Sequence, residues 1–375
     1  MGKVYDVAVI GTGSVGSAAG YYAAKEGLAV LELDSHRPPH EQGSHHGQTR
    51  IIRYAYGEGE KYLPLLLEAK KLWADLQEQS GQDIFHQVGV VNVGPKGADF
   101  IENVAHTADK FDLNVQFLEG QEINDAFPNL HFNDDYRAVY EKDAGYLHSE
   151  VAIETYLRLA DKLGVDQDFS SAVSSINYRE DGLVAITNGQ TTYLAKEVIL
   201  TTGSWVKKLV PTLPITVKRK VFAWFKIDDQ RLTEQRGFPA FTIEIAGDAT
   251  YYGFPGENGD IKIGKHDGGQ VITEPAERTT YGSYPEDKEE IKPLLAQYLT
   301  GTAGLDFGAA CTYDVSPDED FIIDQLPGHP QVKLVTGLSG HGFKFASVLG
   351  KVLADQVAGK DVFLDLKPFS LNRFQ

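Results

Sequence analysis

Val7-Ala8-Val9-Ile10-Gly11-Thr12-Gly13-Ser14-Val15-Gly16 is a short apolar run that ends in three spaced glycines. Small, helix-compatible residues follow from Ser17 to Glu26, and Gly27 suits a helix C-terminus. A second apolar run, from about Leu28 to Leu33, ends at Asp34. Strand, glycine turn, helix, strand and acid make one βαβ unit. In such a unit Gly11 permits the tight turn, Gly13 lets a pyrophosphate approach the backbone, and Gly16 lets helix and strand close on each other. The helix N-terminus adds free N–H groups and a partial positive charge. Asp34 lies 18 residues beyond Gly16, near the usual place of a ribose-binding acid. The pattern predicts a dinucleotide site and does not by itself separate NAD from FAD.

Two later features favour FAD. Glu197 to Thr202 reads as a buried strand ending at Gly203, a second place where backbone can approach the dinucleotide. Val332 to Thr336, then Gly337 to Gly340, then a helix from about Phe343 to Val357 repeats the strand-glycine-helix order. That helix aims a second positive N-terminus at the cofactor. Between these ends, apolar spacing predicts helices over Lys61 to Gln79, near Ala98 to Asp112, and over Val151 to Leu163 with Ser149 as N-cap. Strands are predicted at Val217 to Ile227, Ala240 to Ile245, Thr250 to Phe254 and Asp260 to His266. No repeat or low-complexity linker interrupts the chain, which predicts interleaved domains.

The 375 residues suit two or three domains, and 42% hydrophobic with 23% charged residues is globular composition. The net charge of −18 argues against partners with phosphate backbones or anionic lipid surfaces. No run approaches the ~20 apolar residues of a membrane helix. The first residues lack the pattern of a signal peptide, and a single cysteine allows no intrachain disulfide. The expected compartment is the cytoplasm.

Four segments carry chemistry. Cys311 sits in Gly308-Ala309-Ala310-Cys311-Thr312-Tyr313-Asp314, where a strand puts Cys311 and Tyr313 on one face. A thiolate there serves as a nucleophile or a covalent cofactor tether; inert packing is the other reading. In Asp260 to His266, alternation separates Ile261 and Ile263 from Lys262, Gly264 and His266. A lysine facing a flavin across a gap left by glycine stabilises the negative charge that builds as oxygen is reduced. The alternative is a solvated lysine on a half-exposed strand. Ser44 to Arg53 concentrates donors, and on a helical turn Arg50 and Arg53 share a face. Arginine grips a carboxylate bidentately, which suits an amino-acid substrate; surface charge is the alternative. His45 and His46 have no carboxylate or cysteine at ligand spacing, so no metal is expected. His341 and Lys344 open the last helix, and Lys344 is a second candidate for the carboxylate unless that turn faces solvent. Phe222 and Trp224 alternate on a strand, as core packing or pocket lining.

Together these segments resemble the monomeric sarcosine oxidase family. The resemblance runs from Val7 to Gln375. It rests on Gly43-Ser44-His45-His46-Gly47, Thr49 to Arg53, Ala55-Tyr56-Gly57-Glu58-Gly59 and Tyr251-Tyr252-Gly253-Phe254-Pro255. It also rests on Lys262-Ile263-Gly264-Lys265-His266, Gly308 to Tyr313 and Ser339-Gly340-His341-Gly342-Phe343-Lys344-Phe345. It implies FAD linked through its 8α-methyl group to the sulfur of Cys311. Lys262 matches the oxygen-activating lysine, Arg53 and Lys344 the residues that hold the substrate carboxylate, and Arg50 the arginine near the flavin ring. Lys262, Arg50 and His266 are the implied catalytic residues. Tyr252, His266 and Tyr313 match the cavity lining, and His341 joins the substrate residues. Gly11, Gly13, Ser14, Gly16, Asp34, Ser44, His45, Thr49, Arg50, Val173, Gly203, Gly340, Gly342, Phe343 and Lys344 are the implied cofactor contacts, beside Cys311.

The implied reaction oxidises a secondary amine's N-methyl group to an imine; hydrolysis gives the primary amine and formaldehyde, and oxygen leaves as peroxide. Lys265, Asp267 to Gln270 and the Ala309 to Asp314 run look like the branch that takes N-methyl-L-tryptophan, with sarcosine or another small N-methyl amino acid as the alternative. Gln48 and Tyr54 stand where the family usually has Asp and His. The expected fold is α/β. An FAD-binding Rossmann-like domain of the glutathione-reductase type takes residues 1–85, 145–213 and 318–375. An antiparallel-sheet substrate domain takes 86–144 and 214–317. The expected partners are a small-molecule substrate and O2, with no nucleic acid, no membrane and a monomeric chain.

Overall fold

The computed structural model describes residues 3–170, 172–247 and 249–374; Gln375, the last residue of the resemblance, lies outside them. Val4–Ile10 pairs in parallel with Thr192–Leu200 on one side and Val30–Leu33 on the other. Asp166–Asp168 and His329–Thr336 extend this parallel centre. Ser175–Tyr178, Val184–Thr187 and Ile322–Leu326 add antiparallel pairings, giving an eight-stranded mixed sheet. The central strands are apolar throughout because both faces are covered. Val7, Val9 and Ile199 enter one core, while Ala8, Ile10, Val198 and Leu200 enter another.

The predicted βαβ unit is present. Gly11 has a φ of 87°, and a Cβ there would lie 2.7 Å from the Thr201 carbonyl oxygen. At Gly16 a Cβ would collide with the Gly11 carbonyl. Glycine at both positions therefore lets the turn, the helix and the end of strand Thr192–Leu200 meet at one point. Helix Ser14–Lys25 leaves this turn and packs against helix Ala346–Val357. A Cβ at Gly350 would lie 2.5 Å from the Ala18 Cβ, so small residues set the helix separation.

Nine further strands form a second sheet. Its pairings are antiparallel except that of Ala240–Ile245 with Val90–Pro95. Thr216–Ile227 is its spine, bonded to Asp260–Lys265, Gln270–Ile272 and Thr302–Val315. Alternation along these strands sends Ala223, Phe225, Ile261 and Ile263 into one core. Phe222, Trp224 and Cys311 cluster separately. A three-stranded sheet of Thr49–Ile52, Gly145–His148 and Phe85–His86 completes the fold. Among the described residues no helix is long and apolar enough to cross a membrane.

Two local expectations are corrected. Residues 50–53 are not a helical turn: Thr49–Ile52 is a strand, with Arg50 opposite Leu147 and Ile52 opposite Gly145. The chain bends after it because the Glu141 carboxylate accepts from the N–H groups of Tyr54 and Ala55. Ser149 is the first residue of helix Ser149–Lys162, not its N-cap, which is His148. The Ser149 N–H is already taken by the Gln48 carbonyl at 2.8 Å.

Candidate active site

Two cavities of about 350 and 300 Å3 meet at Ser14, Ser44, His45, Asp314 and Leu338. The first lies along the N-terminus of helix Ser14–Lys25, between Gly11, Gly13, Asp34, Val173 and Gly203. Asp34 accepts from the Thr12 N–H at 2.8 Å and lies 3.2 Å from His40 Nε2. Burial pushes the Asp34 pKa up, but these bonds and the His36 N–H outweigh it, so the carboxyl is held below its usual range. His45 is buried and neutral, its pKa pulled down to about 3 by desolvation and then by its cationic neighbours. Its Nε2 accepts from the His40 N–H at 3.0 Å, which leaves the ring proton on Nδ1. The donor set fits a dinucleotide: first-turn N–H groups and a neutral His45 for pyrophosphate, and an ionised acid for ribose hydroxyls. Gly16 lines neither cavity; it serves the helix-strand contact instead.

The second cavity brings together Arg50, Arg53, Tyr252, His266, Cys311, Tyr313, Gly340, His341, Gly342, Phe343 and Lys344. Arg50 donates to three carbonyl oxygens, those of Thr49, Ser44 and His46, each at 2.7 Å. None of these acceptors carries a charge, so the guanidinium keeps its positive field. Arg53 is paired with the Glu58 carboxylate through two bonds of 2.8 Å. Partial burial raises the Glu58 pKa, and Arg53 outweighs it, holding the group at about 2. Lys344 donates to the His341 carbonyl at 2.9 Å, and desolvation, then Arg53, pulls its pKa down to about 7. His341 is not on a solvent-facing turn: it is buried, with Nδ1 2.7 Å from the Tyr56 hydroxyl. Desolvation keeps its pKa near about 3 and that of His266 near about 4, so both rings are neutral.

Cys311 is buried on strand Thr302–Val315, and the same alternation carries Tyr313 to the cavity. Burial pushes the thiol pKa up, while Arg50, Lys220 and Lys262 pull against it. Lys262 is buried, not solvated. Its ammonium donates to the carbonyls of Gly47 and Thr49, the latter at 3.0 Å, and lies 3.4 Å from Thr49 Oγ1. Burial, and next Arg50, pull its pKa well down. Three oxygen acceptors match the three N–H bonds of the charged form. The rings of Phe222 and Phe254 flank it at 4.8 Å each. Lys262 and Thr49 line a separate small cavity of about 100 Å3, which the two large cavities do not include. The gap left by Gly264 is filled: a Cβ there would collide with the Tyr252 hydroxyl.

Glu58 and Asp314 had no role in the sequence reading. Asp314 Oδ2 accepts from the Gly337 N–H at 2.7 Å and from the Leu338 N–H at 3.3 Å, fixing the last glycine turn at the seam. An acid next to an arginine segment was the available signal for Glu58. The two unusual positions are both structural in this chain. Gln48 adopts a φ of 70° on the small cavity's wall. Tyr54 is buried under the Lys70 ammonium, 4.7 Å from its ring.

Residues 6–356 match the family described as "DAO: FAD dependent oxidoreductase". The chain is 51% identical over 370 residues to an N-methyl-L-tryptophan oxidase of Salmonella agona, covering 99% of each. It is also 51% identical to an N-methyl-L-tryptophan oxidase of Citrobacter koseri, again over 99% of each. NikD, an unusual amino acid oxidase essential for nikkomycin biosynthesis, shares the fold with a TM-score of 0.85 over 98% of each chain at 21% identity. Glycine oxidase from Geobacillus kaustophilus does so with a TM-score of 0.81 over 99% of each at 19% identity. A match of this length, on a mixed α/β fold whose glycine turn lines the first cavity, places the chain in the DAO family of FAD dependent oxidoreductases.

Proposed function

We propose that this chain is a flavoprotein oxidase that demethylates N-methyl-L-tryptophan, consuming O2 and water and releasing L-tryptophan, formaldehyde and hydrogen peroxide. The observation that carries this reading is the grouping of cations in and behind the second cavity. Arg53, held by Glu58, lines it with Lys344; Arg50 lines it near Cys311, and Lys262 lies behind the shared Phe254 wall in the small cavity. One group suits a carboxylate and the other suits the cofactor and oxygen. Relatives at 51% identity carry the substrate in their name. Phe100, Phe222, Tyr252, Phe254 and Tyr313 give the cavity flat walls for an indole.

Bound FAD supplies the acceptor for the two electrons of the N-methyl C–H bond and returns them to O2. Glu58 holds the Arg53 guanidinium in place with two bonds, and Arg53 offers its remaining donors to the substrate carboxylate with Lys344. Neutral His266 and His341 leave that grip to the two cations. The desolvated walls favour the neutral amine, because a buried ammonium resists losing hydride. Arg50 sets a fixed positive field beside Cys311, to whose sulfur we assign the covalent link to FAD. Lys262, anchored on carbonyls among aromatic rings, stabilises the charge that builds on oxygen. In this reading residues 1–85, 145–213 and 318–375 hold FAD, and 86–144 and 214–317 cover the substrate. All walls of the first cavity except Asp314 come from the first set. The enzyme works as a monomer on a small molecule and O2; its lone, buried cysteine fits the cytoplasm.

Anaerobic titration tests the substrate. N-methyl-L-tryptophan bleaches the flavin absorbance quickly and sarcosine does so poorly; bleaching by sarcosine alone would transfer the assignment to the smaller substrate. Lys262→Met leaves anaerobic bleaching nearly intact and slows reoxidation by O2 by roughly 10²-fold or more. Equal losses in both half-reactions sink its assignment to oxygen. A third expectation concerns pH. Lys344 titrates near about 7 without ligand, and a bound carboxylate favours its charged form, so binding above that pH takes up a proton. Affinity for an unreactive indole carboxylate is therefore flat below about pH 7 and weakens above it, by up to about tenfold per unit. A profile with no slope between about pH 6 and 9 removes Lys344 as the anchor.

A further inference from the structure

Outside the two large cavities, the edge of the three-stranded sheet gathers two histidines and three carboxylates. Phe85–His86 pairs with Gly145–His148, with His86 opposite Tyr146. The His148 N–H donates to the Ile84 carbonyl at 2.8 Å. This register brings Asp83, His86 and His148 together, so that one ligand atom from each lies within 4.8 Å of the others. The two imidazole rings are 4.4 Å apart.

The hydrogen bonds on the far side of each ring set this cluster apart from ordinary surface ion pairs. His86 Nδ1 is 3.2 Å from Glu234 Oε1, and His148 Nδ1 is 3.2 Å from the Asp83 carbonyl oxygen. An oxygen acceptor at Nδ1 puts the ring proton there and leaves the Nε2 lone pair exposed to the cluster. Both Nε2 atoms face carboxylates. His86 Nε2 is 3.1 Å from Asp83 Oδ2, and His148 Nε2 is 3.7 Å from Glu257 Oε2. His86 Nε2 is buried and makes no hydrogen bond among the described residues. A nitrogen lone pair turned toward a carboxylate is unfavourable, and either a second ring proton or a bound cation between them relieves it. Oxygen at Nδ1 with Nε2 turned inward is also how metal-bound histidines are oriented.

We propose that His86 Nε2, His148 Nε2, Asp83 and Glu257 bind one divalent transition-metal ion of zinc-like preference. Two imidazoles with two carboxylates suit zinc, whereas calcium and magnesium take oxygen ligands only. Asp83 has a side chain 75% exposed and free to swing inward to complete the shell. The ligands come from two regions: Asp83, His86 and His148 from the small sheet, and Glu257 from the turn between strands Ala249–Gly253 and Asp260–Lys265. The ion therefore ties the small sheet to the nine-stranded one, outside the two large cavities.

The test uses the FAD-loaded enzyme after dialysis against a chelator, with ZnCl2 as the probe. Calorimetry shows one Zn2+ bound per chain, and saturating Zn2+ raises the unfolding temperature by roughly 3–5 °C. Co2+ in the same site gives the visible absorption of a four-coordinate ion, and Mg2+ and Ca2+ produce neither signal. His86→Gln with His148→Gln abolishes both responses while leaving flavin absorbance in place. Asp83→Asn, at an exposed side chain that does not carry the fold, weakens Zn2+ binding tenfold or more and serves if the double variant does not fold. Absence of one-to-one binding in the native chain overturns the proposal, as does undiminished binding in the variants.

Discussion

Lys262 and Lys344 are buried cations and Arg50 a half-buried one, and uncharged oxygen holds all three. Each is bonded to backbone carbonyls, and the acidic chain places no carboxylate among their hydrogen-bond acceptors. Desolvating a cation costs several kcal/mol unless an opposite charge repays it. The contrast within the same molecule is direct. Arg219, fully buried, has Asp287 against it at 2.8 Å, and Arg53 has Glu58. In the proposed reaction these cations are left for something that arrives: the ring of the cofactor, a substrate carboxylate, or the charge that builds on oxygen.

The fold positions those carbonyls through contacts distant in sequence. Glu150, in the first turn of helix Ser149–Lys162, accepts the Gly47 N–H at 2.9 Å and Gln48 accepts from Ser149. These bonds hold the loop whose Gly47 and Thr49 carbonyls receive Lys262. Asp314 holds the glycine turn that leads to His341 and Lys344. Room is made by missing side chains. A Cβ at Gly340 would lie against the Tyr313 ring, and one at Gly264 against the Tyr252 hydroxyl. Buried cation, cavity wall and backbone turn are thus one set of contacts, and a change in any of them moves the others.

Much of this was legible in the sequence because its signals were local. The glycine spacing fixed the turn, and the alternation of Ile261, Lys262 and Ile263 separated core from site. Apolar periodicity located helix Leu63–Ser80 to within two residues of its start. The resemblance to a known family supplied roles for Cys311, Arg53 and Lys344 that spacing alone left open. What stayed hidden depended on partners far along the chain. Residues 50–53 read as a turn because their partner strand lies nearly a hundred residues later. Ser149 read as a cap because nothing near it reveals that Gln48 takes its N–H. In the cluster of Asp83, His86, His148 and Glu257 only the first two are near in sequence; strand register and the distant Glu257 turn complete it.

In the proposed arrangement the two joined cavities hold one FAD, and its ring reaches the cation group beside Cys311. Mass spectrometry of the peptide containing Cys311, taken from acid-precipitated and digested protein, tests it most directly. The expected result is a yellow precipitate and a flavin bonded to the Cys311 sulfur. A colourless precipitate, flavin in the supernatant and a Cys311 peptide with a free thiol would contradict it.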